Sequence, residues 1–100
     1  MPAYMIIEVE VLDRETYARY VAQVRDVVER HGGRYLARGG KAIPFSGNWN
    51  PERVILIEFD SARQARECFA SPECRAIAPL RERSTRTRAI IVEGESSSRP

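Results

Sequence analysis

Two arginines on either side of a glycine- and asparagine-rich segment are the side chains best suited to bind a small organic anion. They are Arg38 and Arg53. A guanidinium group binds a carboxylate through two parallel hydrogen bonds, which gives both affinity and orientation. The sequence therefore makes both arginines candidates for anion binding. The alternative is structural, because each could instead form a salt bridge with Glu8, Glu10 or Glu58.

One histidine and one glutamate are candidates for proton transfer. His31 is the single histidine, and histidine is the side chain that ordinarily changes charge near neutral pH. It ends a predicted helix, so it could face a ligand as an acid or base, or simply stabilise the helix C-terminus. Glu58 shares a predicted sheet face with Glu8, which is also a candidate ligand contact, and two neighbouring carboxylates can act as a proton-transfer pair. Charge compensation by Arg38 is the competing interpretation.

Aromatic and amide side chains are candidates for the walls of a binding site. Asn48 and Trp49 lie in the loop before the third predicted strand. Tryptophan offers a large apolar surface and one N–H donor, so Trp49 could be a lid over a pocket or an anchor for a dimer. Tyr17 and Tyr20 lie three residues apart on the first predicted helix. We expect both rings in the core with their hydroxyl groups at its edge, and Tyr17 is a candidate ligand contact.

Composition and charge exclude several classes of protein. The net charge is +2 over 100 residues, which is too small to indicate nucleic-acid binding. The most basic stretch, RERSTRTR at 81–88, is interpreted as a solvated face. No apolar run approaches the roughly 20 residues that span a bilayer, and we expect no signal peptide. Cys68 and Cys74 lack the spacing of metal ligands and are interpreted as core thiols. We expect a cytoplasmic protein without a metal, a cofactor, a nucleic-acid partner or a membrane partner.

The hydrophobic periodicity predicts four strands and two main helices. Alternation of apolar and polar residues indicates strands, whereas apolar spacings of three and four indicate a helix. Asp13 and Ser61 are predicted N-caps, and Pro79 should limit or kink a short third helical piece. Arg34, Leu36 and Arg38 fall on one face of the second strand. The predicted segments are a strand at 4–11, a helix at 14–31, strands at 34–38 and 53–59, a helix after 61, a short helical piece after 72 and a strand at 88–93, with 41–45 extending or resuming the second strand.

This order of elements predicts the ferredoxin-like βαββαβ arrangement, an α+β fold with an antiparallel sheet. The helices should cover one sheet face, formed by Met5, Ile7, Val9, Ile55, Ile57 and Phe59. The opposite face carries Ile6, Glu8, Val54, Leu56 and Glu58, and it is too apolar to be left in water. Two copies packed sheet to sheet would cover it, so we predict a homodimer with a barrel-like core. The domain should span residues 1–93, and residues 94–100 should form a disordered tail.

Several segments taken together resemble the domain of unknown function 1330 family. The resemblance covers roughly residues 3–93 and is carried by ETYARY, HGGRYLARGG, SGNWNPERVILIEF, SARQAREC and SPECRAI. It implies the dimeric α+β barrel form of the ferredoxin-like fold. It implies no activity and supplies no catalytic residue or cofactor. The chain has Cys68 where the family tends to have aromatic residues and Cys74 where it tends to have a tyrosine.

Two functional hypotheses follow from these residues. The first is a cofactor-independent enzyme of the dimeric barrel type that acts on a small organic carboxylate. Arg38 or Arg53 would hold the carboxylate, and Trp49 would help to exclude water. His31 or Glu58 would move the proton. The alternative is a non-catalytic module that binds a small ligand or only forms a dimer.

Overall fold

All the helices lie against one face of a four-stranded antiparallel sheet in the computed structural model, which describes residues 1–95. The strand order is β2-β3-β1-β4. The predicted ferredoxin-like α+β fold is therefore confirmed. The last part of the predicted tail, residues 96–100, lies outside the described residues. The elements are β1 (Ala3–Val11), α1 (Arg14–Arg30), β2 (Arg34–Arg38), β3 (Arg53–Phe59), α2 (Ala62–Ala70), α3 (Pro72–Ser84) and β4 (Thr85–Glu93).

The ends of the first two helices are fixed by local hydrogen bonds. A carboxylate oxygen of Asp13 accepts from the backbone N–H of Thr16 at 3.2 Å, which satisfies a donor that has no partner within α1. Ser61 does the same for α2, since its hydroxyl oxygen accepts from the N–H of Gln64 at 3.1 Å. At the other end of α1 the chain turns at Gly32, whose φ of +83° favours glycine. Both predicted N-caps are confirmed.

The core fills the space between the helices and the covered face of the sheet. Val28 and Phe59 are fully buried, and Ile57 is 1% exposed. Cross-strand pairing places Met5 opposite Ile57, so the alternating apolar residues of the two central strands share one face. This is the face that the sequence predicted. Cys68 and Cys74 are free thiols buried in the same core, as predicted, and burial raises the pKa of Cys68 to about 12.

The last helix and strand are both longer than the sequence predicted. The helix α3 continues through Pro79 to Ser84, although proline removes one helical hydrogen bond. Cys74, Ile77 and Ser84 are buried along its length, and this packing offsets the lost bond. The strand β4 begins at Thr85, directly after the helix, because it pairs with β1 from that residue onward. Residues 41–45 are irregular and neither extend nor resume β2.

A β-bulge in β2 changes the face on which Arg38 lies. Tyr35 is opposite Ile57 and Arg38 is opposite Ile55, with the register shifting between Tyr35 and Ala37. Both isoleucines face the helices, so Tyr35 and Arg38 face the helices as well. The prediction that Arg38 shares a face with Arg34 is wrong. The reason is that the bulge inserts one extra residue into the strand and reverses the alternation beyond it.

Within residues 1–95, none of the helices is long and apolar enough to cross a membrane.

Candidate functional site

A cavity of about 490 Å³ lies between the helices and the covered face of the sheet. This volume is within the usual range for small-molecule sites. The apolar floor consists of strand residues, and α1 provides much of the opposite wall. The residues of the floor are Met5, Ile7, Val9, Ile55 and Ile57. The polar residues that line the cavity are three tyrosines, two arginines, one glutamate and two threonines. They are Tyr17, Tyr20, Tyr35, Arg38, Arg81, Glu82, Thr85 and Thr87.

Arg38 brings a positive charge to the cavity at the β2 edge of the sheet. Its side chain is half-buried, and Nη2 donates to the carbonyl oxygen of Val21 at 2.9 Å. The guanidinium carbon lies 4.7 Å from the centroid of the Tyr35 ring, a distance typical of a cation–π contact. Among the ion pairs within residues 1–95, none includes Arg38. Its charge is therefore held in place without being neutralised by a carboxylate of the described chain.

Three tyrosine rings line the cavity, each close to a guanidinium group. Burial raises the pKa of Tyr17 and Tyr20, and it raises the pKa of Tyr35 to about 12. Arg53 lies over the Tyr17 ring with its guanidinium carbon 5.6 Å from the centroid. The phenols are protonated at neutral pH, so they can donate hydrogen bonds to a ligand but cannot act as bases there.

A shallower groove continues from the cavity at the β2 edge. It shares Tyr17, Tyr35 and Arg38 with the cavity, and it adds Arg25 and Arg53. Arg25 is paired with Glu29 at 3.1 Å, whereas Arg53 is absent from the ion pairs of residues 1–95. An anion that approaches this end of the cavity therefore meets several positive charges.

Three of the candidate site residues predicted from the sequence lie at the cavity or beside it. Tyr17 and Arg38 line the cavity, and Arg53 lies in the adjoining groove. Salt bridges to Glu8, Glu10 or Glu58, the structural alternative for the two arginines, do not form. Other arginines take those partners: Arg88 with Glu8, Arg86 with Glu10 and Arg34 with Glu58.

The predicted carboxylate pair is separated by the strand register. Glu8 is opposite Val54, and Glu58 is opposite Tyr4, four positions away along the strands, or about 13 Å at the usual rise per residue. Both lie on the open face of the sheet, away from the cavity. Hydrogen bonds from Arg88, at 2.5 Å, and from Trp49, at 3.2 Å, hold the pKa of Glu8 below its usual value. The register does not bring the two carboxylates together for proton exchange.

The remaining candidates also lie outside the cavity lining. His31 ends α1, with Nδ1 2.9 Å from the carbonyl oxygen of Val27, and its own carbonyl oxygen accepts from Gln64 at 2.8 Å. Trp49 lies on the open sheet face beside Glu8, and Asn48 is exposed in the preceding loop. The acid–base roles of His31 and Glu58 stay predictions, and neither residue lines the cavity. Within residues 1–95, no group of three or more His, Cys, Asp or Glu side chains could hold a metal ion.

Sequence reasoning missed Tyr35 and Arg81, which line the cavity, and assigned Tyr20 only to the core. Tyr35 was overlooked because regular alternation placed Arg38 on the opposite face of β2. The β-bulge brings both residues to the same face. Arg81 belongs to the basic stretch that was interpreted as a solvated face. Its spacing from Ile77, one helical turn earlier, was the available signal that it faces inward.

Solved structures with the same fold come from several organisms. A protein of unknown function from Rhodopseudomonas palustris is 21% identical with a TM-score of 0.79, over 95% of this chain and 83% of that chain. SnoaB, a cofactor-independent oxygenase from Streptomyces nogalater, is 9% identical with a TM-score of 0.68, over 97% of this chain and 96% of its own. A dimeric protein of unknown function with a ferredoxin-like fold from Bacteroides fragilis is 13% identical with a TM-score of 0.55, over 93% and 96%. These similarities show the fold alone.

The sequence itself matches one family over almost its whole length. The match is to the domain of unknown function DUF1330, and it covers residues 2–95. A comparison with curated proteins found no match. This match agrees with the family resemblance that the sequence segments between residues 3 and 93 indicated. The chain therefore belongs to the DUF1330 family.

Proposed function

We propose that the cavity binds a small, largely apolar organic carboxylate and that Arg38 holds its anionic group. The observation that carries this proposal is a half-buried guanidinium without a carboxylate partner among residues 1–95, at one end of an apolar cavity of about 490 Å³. A charge that is partly removed from water is stabilised when an opposite charge joins it.

The contacts of Arg38 leave hydrogen-bond donors for a ligand. A guanidinium has five N–H donors, and one hydrogen bond to the carbonyl oxygen of Val21 fixes the side chain. The Tyr35 ring packs against its flat face, so the edge of the guanidinium stays available to a carboxylate. The apolar floor would contact the rest of the ligand. A flat aromatic acid matches both requirements.

A cofactor-independent enzyme is the second candidate. The observation in its favour is the set of phenol groups in the cavity, which could stabilise a negatively charged oxygen that develops during a reaction. SnoaB is described as an enzyme of this type. Binding without turnover is the better supported proposal, since the buried phenols are not bases at neutral pH and the predicted proton-transfer residues lie elsewhere. Mass spectrometry of the acid after incubation with the protein in air would distinguish binding from oxygenation, because insertion of oxygen raises the mass of the acid.

Replacing Arg38 with methionine should weaken the binding of 2-naphthoate at least tenfold. Methionine preserves much of the apolar side chain and removes the charge, and hydrogen bonds to charged groups are worth about 1.5–3 kcal/mol. Isothermal titration calorimetry would give both affinities. The uncharged 2-naphthamide should lose much less affinity in the variant, because it forms no ion pair with Arg38.

The matched control is Arg66→Met. Arg66 is an exposed arginine on α2 that does not line the cavity, so this variant should bind 2-naphthoate as tightly as the wild type. If Arg38→Met binds with unchanged affinity, the assignment of the anion site to Arg38 is wrong. If the wild type binds none of a panel of aromatic carboxylates, the proposed function is wrong.

We also propose that the open face of the sheet packs against a second copy of the chain. Ile6 is opposite Leu56 on one side and Ile90 on the other, so the three side chains form an apolar row across the sheet. Ile90 is 59% exposed in the single chain, and burying such a row is favourable. The Bacteroides fragilis structure is described as dimeric, which supports this proposal. The cavity lies on the other face, so dimer formation and ligand binding can be tested separately.

Replacing Ile90 with glutamate should convert the dimer to a monomer. The new carboxylate would lie close to the same carboxylate of the second copy, or it would be buried without a hydrogen-bond partner. Both arrangements are unfavourable. Light scattering at micromolar concentration measures the mass. Leu12→Glu is the control, because Leu12 is 54% exposed but lies beyond the end of β1. A wild-type monomer, or an equal loss of mass in both variants, would argue against this interface.

A further inference from the structure

We infer that the ligand carries a second anionic group at its far end and spans the sheet from Arg38 to Arg81. This inference rests on the proposed function, since it takes Arg38 as the site of the first carboxylate. It narrows the ligand class from organic acids in general to elongated, flat dicarboxylates. The observation behind it is that the cavity has an arginine at both ends and an apolar middle.

The strand register shows that the cavity crosses the whole sheet. Arg38 is opposite Ile55, Ile55 is opposite Ile7, and Ile7 is opposite Ala89. All four residues line the cavity, and they belong to β2, β3, β1 and β4 in spatial order. Neighbouring strands lie about 4.8 Å apart, so the row spans about 14 Å. A ligand that fills this row must therefore be elongated.

The far end of the cavity, beside β4, is built from Arg81, Glu82 and two threonines. Arg81 lines the cavity with its guanidinium carbon 5.9 Å from the centroid of the Tyr20 ring. The Thr85 hydroxyl donates to the carbonyl oxygen of Arg81 at 2.7 Å, and it lies 2.8 Å from the Thr87 hydroxyl. These contacts hold the end of α3 against the start of β4. The Arg81 side chain is 29% exposed, so most of its surface is covered by the rest of the chain.

The one carboxylate paired with Arg81 is a weak competitor for a ligand. Glu82 lies 3.7 Å from Nη2 of Arg81, and its side chain is 66% exposed. An ion pair at this separation with one well-exposed partner contributes little. An incoming carboxylate could take the place of Glu82 and leave that side chain in water. The two ends therefore differ in strength. Arg38 has no carboxylate partner among residues 1–95, whereas Arg81 is paired with Glu82, which also lines the cavity. A single carboxylate should bind at Arg38, and a second one on the same ligand would replace Glu82 at Arg81.

The test compares two ligands that differ by one carboxylate. Naphthalene-2,6-dicarboxylate and 2-naphthoate have the same ring system, and titration calorimetry would measure both. We expect the wild type to bind the dicarboxylate at least tenfold more tightly, which is about the value of one charge-assisted hydrogen-bonded contact. Arg81→Met should remove this preference, so that the two ligands bind with similar affinity. Arg38→Met should weaken the binding of both.

Control variants separate a local effect from a loss of folding. Arg83→Met changes an exposed arginine on the same helix that does not line the cavity, and it should retain the preference for the dicarboxylate. Arg81→Lys keeps the positive charge and should retain part of the preference if Arg81→Met fails to fold. If the two ligands bind equally while 2-naphthoate still depends on Arg38, this inference is wrong and the proposed function stands. If neither ligand binds, both are wrong.

Discussion

Replacing Phe59 with alanine will lower the free energy of unfolding by about 3–5 kcal/mol. Phe59 is fully buried at the end of β3, and its ring packs edge-on against Phe69 with the centroids 6.3 Å apart. The ring also abuts the backbone at Gly33, where an added Cβ would lie 2.9 Å from its Cε1 atom. Since helix and loop residues surround the ring, truncation leaves a void that the neighbours cannot fill without moving. Urea unfolding followed by circular dichroism measures the loss.

The matched control changes the most exposed phenylalanine in the same way. Phe45 lies in the loop between β2 and β3 and is 101% exposed, so Phe45→Ala should change the free energy of unfolding by no more than about 0.5 kcal/mol. Both variants lose the same atoms, and burial is the difference between them. An equal loss of stability in the two would show that the ring of Phe59 is not enclosed by the core as described.

Replacing Val24 with phenylalanine will abolish binding of 2-naphthoate while leaving the protein folded. Val24 lies on α1, is 6% exposed and lines the cavity. The larger ring would extend into space that the ligand needs, and a cavity of about 490 Å³ can accept it without displacing the core. The free energy of unfolding should therefore stay the same or rise, because more apolar surface is buried. Titration calorimetry and urea unfolding give the two quantities on one sample.

Val27→Phe is the control for the cavity-filling variant. Val27 lies on the same helix and is 4% exposed, but it does not line the cavity. An added ring there has no space to enter and should lower the free energy of unfolding by about 1–3 kcal/mol. If Val24→Phe destabilises the protein as much as Val27→Phe, the cavity is not open beside Val24. If Val24→Phe still binds 2-naphthoate with wild-type affinity, the ligand occupies another site.

Sequence periodicity predicted the parts of the fold in which one face is consistently apolar. The first strand, the long first helix and β3 follow simple alternation or helical spacing without interruption, and their faces are as predicted. Caps at Asp13 and Ser61 gave the helix starts, because a capping side chain acts within its own turn. From these local features the order of elements, and with it the topology, could be predicted.

The candidate site was predicted only in part, because its geometry depends on pairing between distant segments. The bulge in β2 is visible only against β3, so the face of Arg38 was assigned wrongly. The separation of Glu8 from Glu58 depends on the register of β1 and β3, which composition and periodicity leave open. The length of α3 was underestimated because Pro79 was expected to limit or kink the helix. Tertiary packing stabilises the helix through Pro79 as far as Ser84. The cavity itself depends on how far the helices stand from the sheet.

The bulge in β2 has a consequence for how related sequences should be aligned. In a regular strand, two residues on one face are separated by an even number of positions, yet Tyr35 and Arg38 are separated by three and share a face. Leu36 and Ala37 together occupy the space of one regular position. A relative that lost one of these two residues would keep its tyrosine and arginine on the same face at a spacing of two. A one-residue gap at Leu36 or Ala37 therefore preserves the pair, and an alignment of relatives should place the gap there.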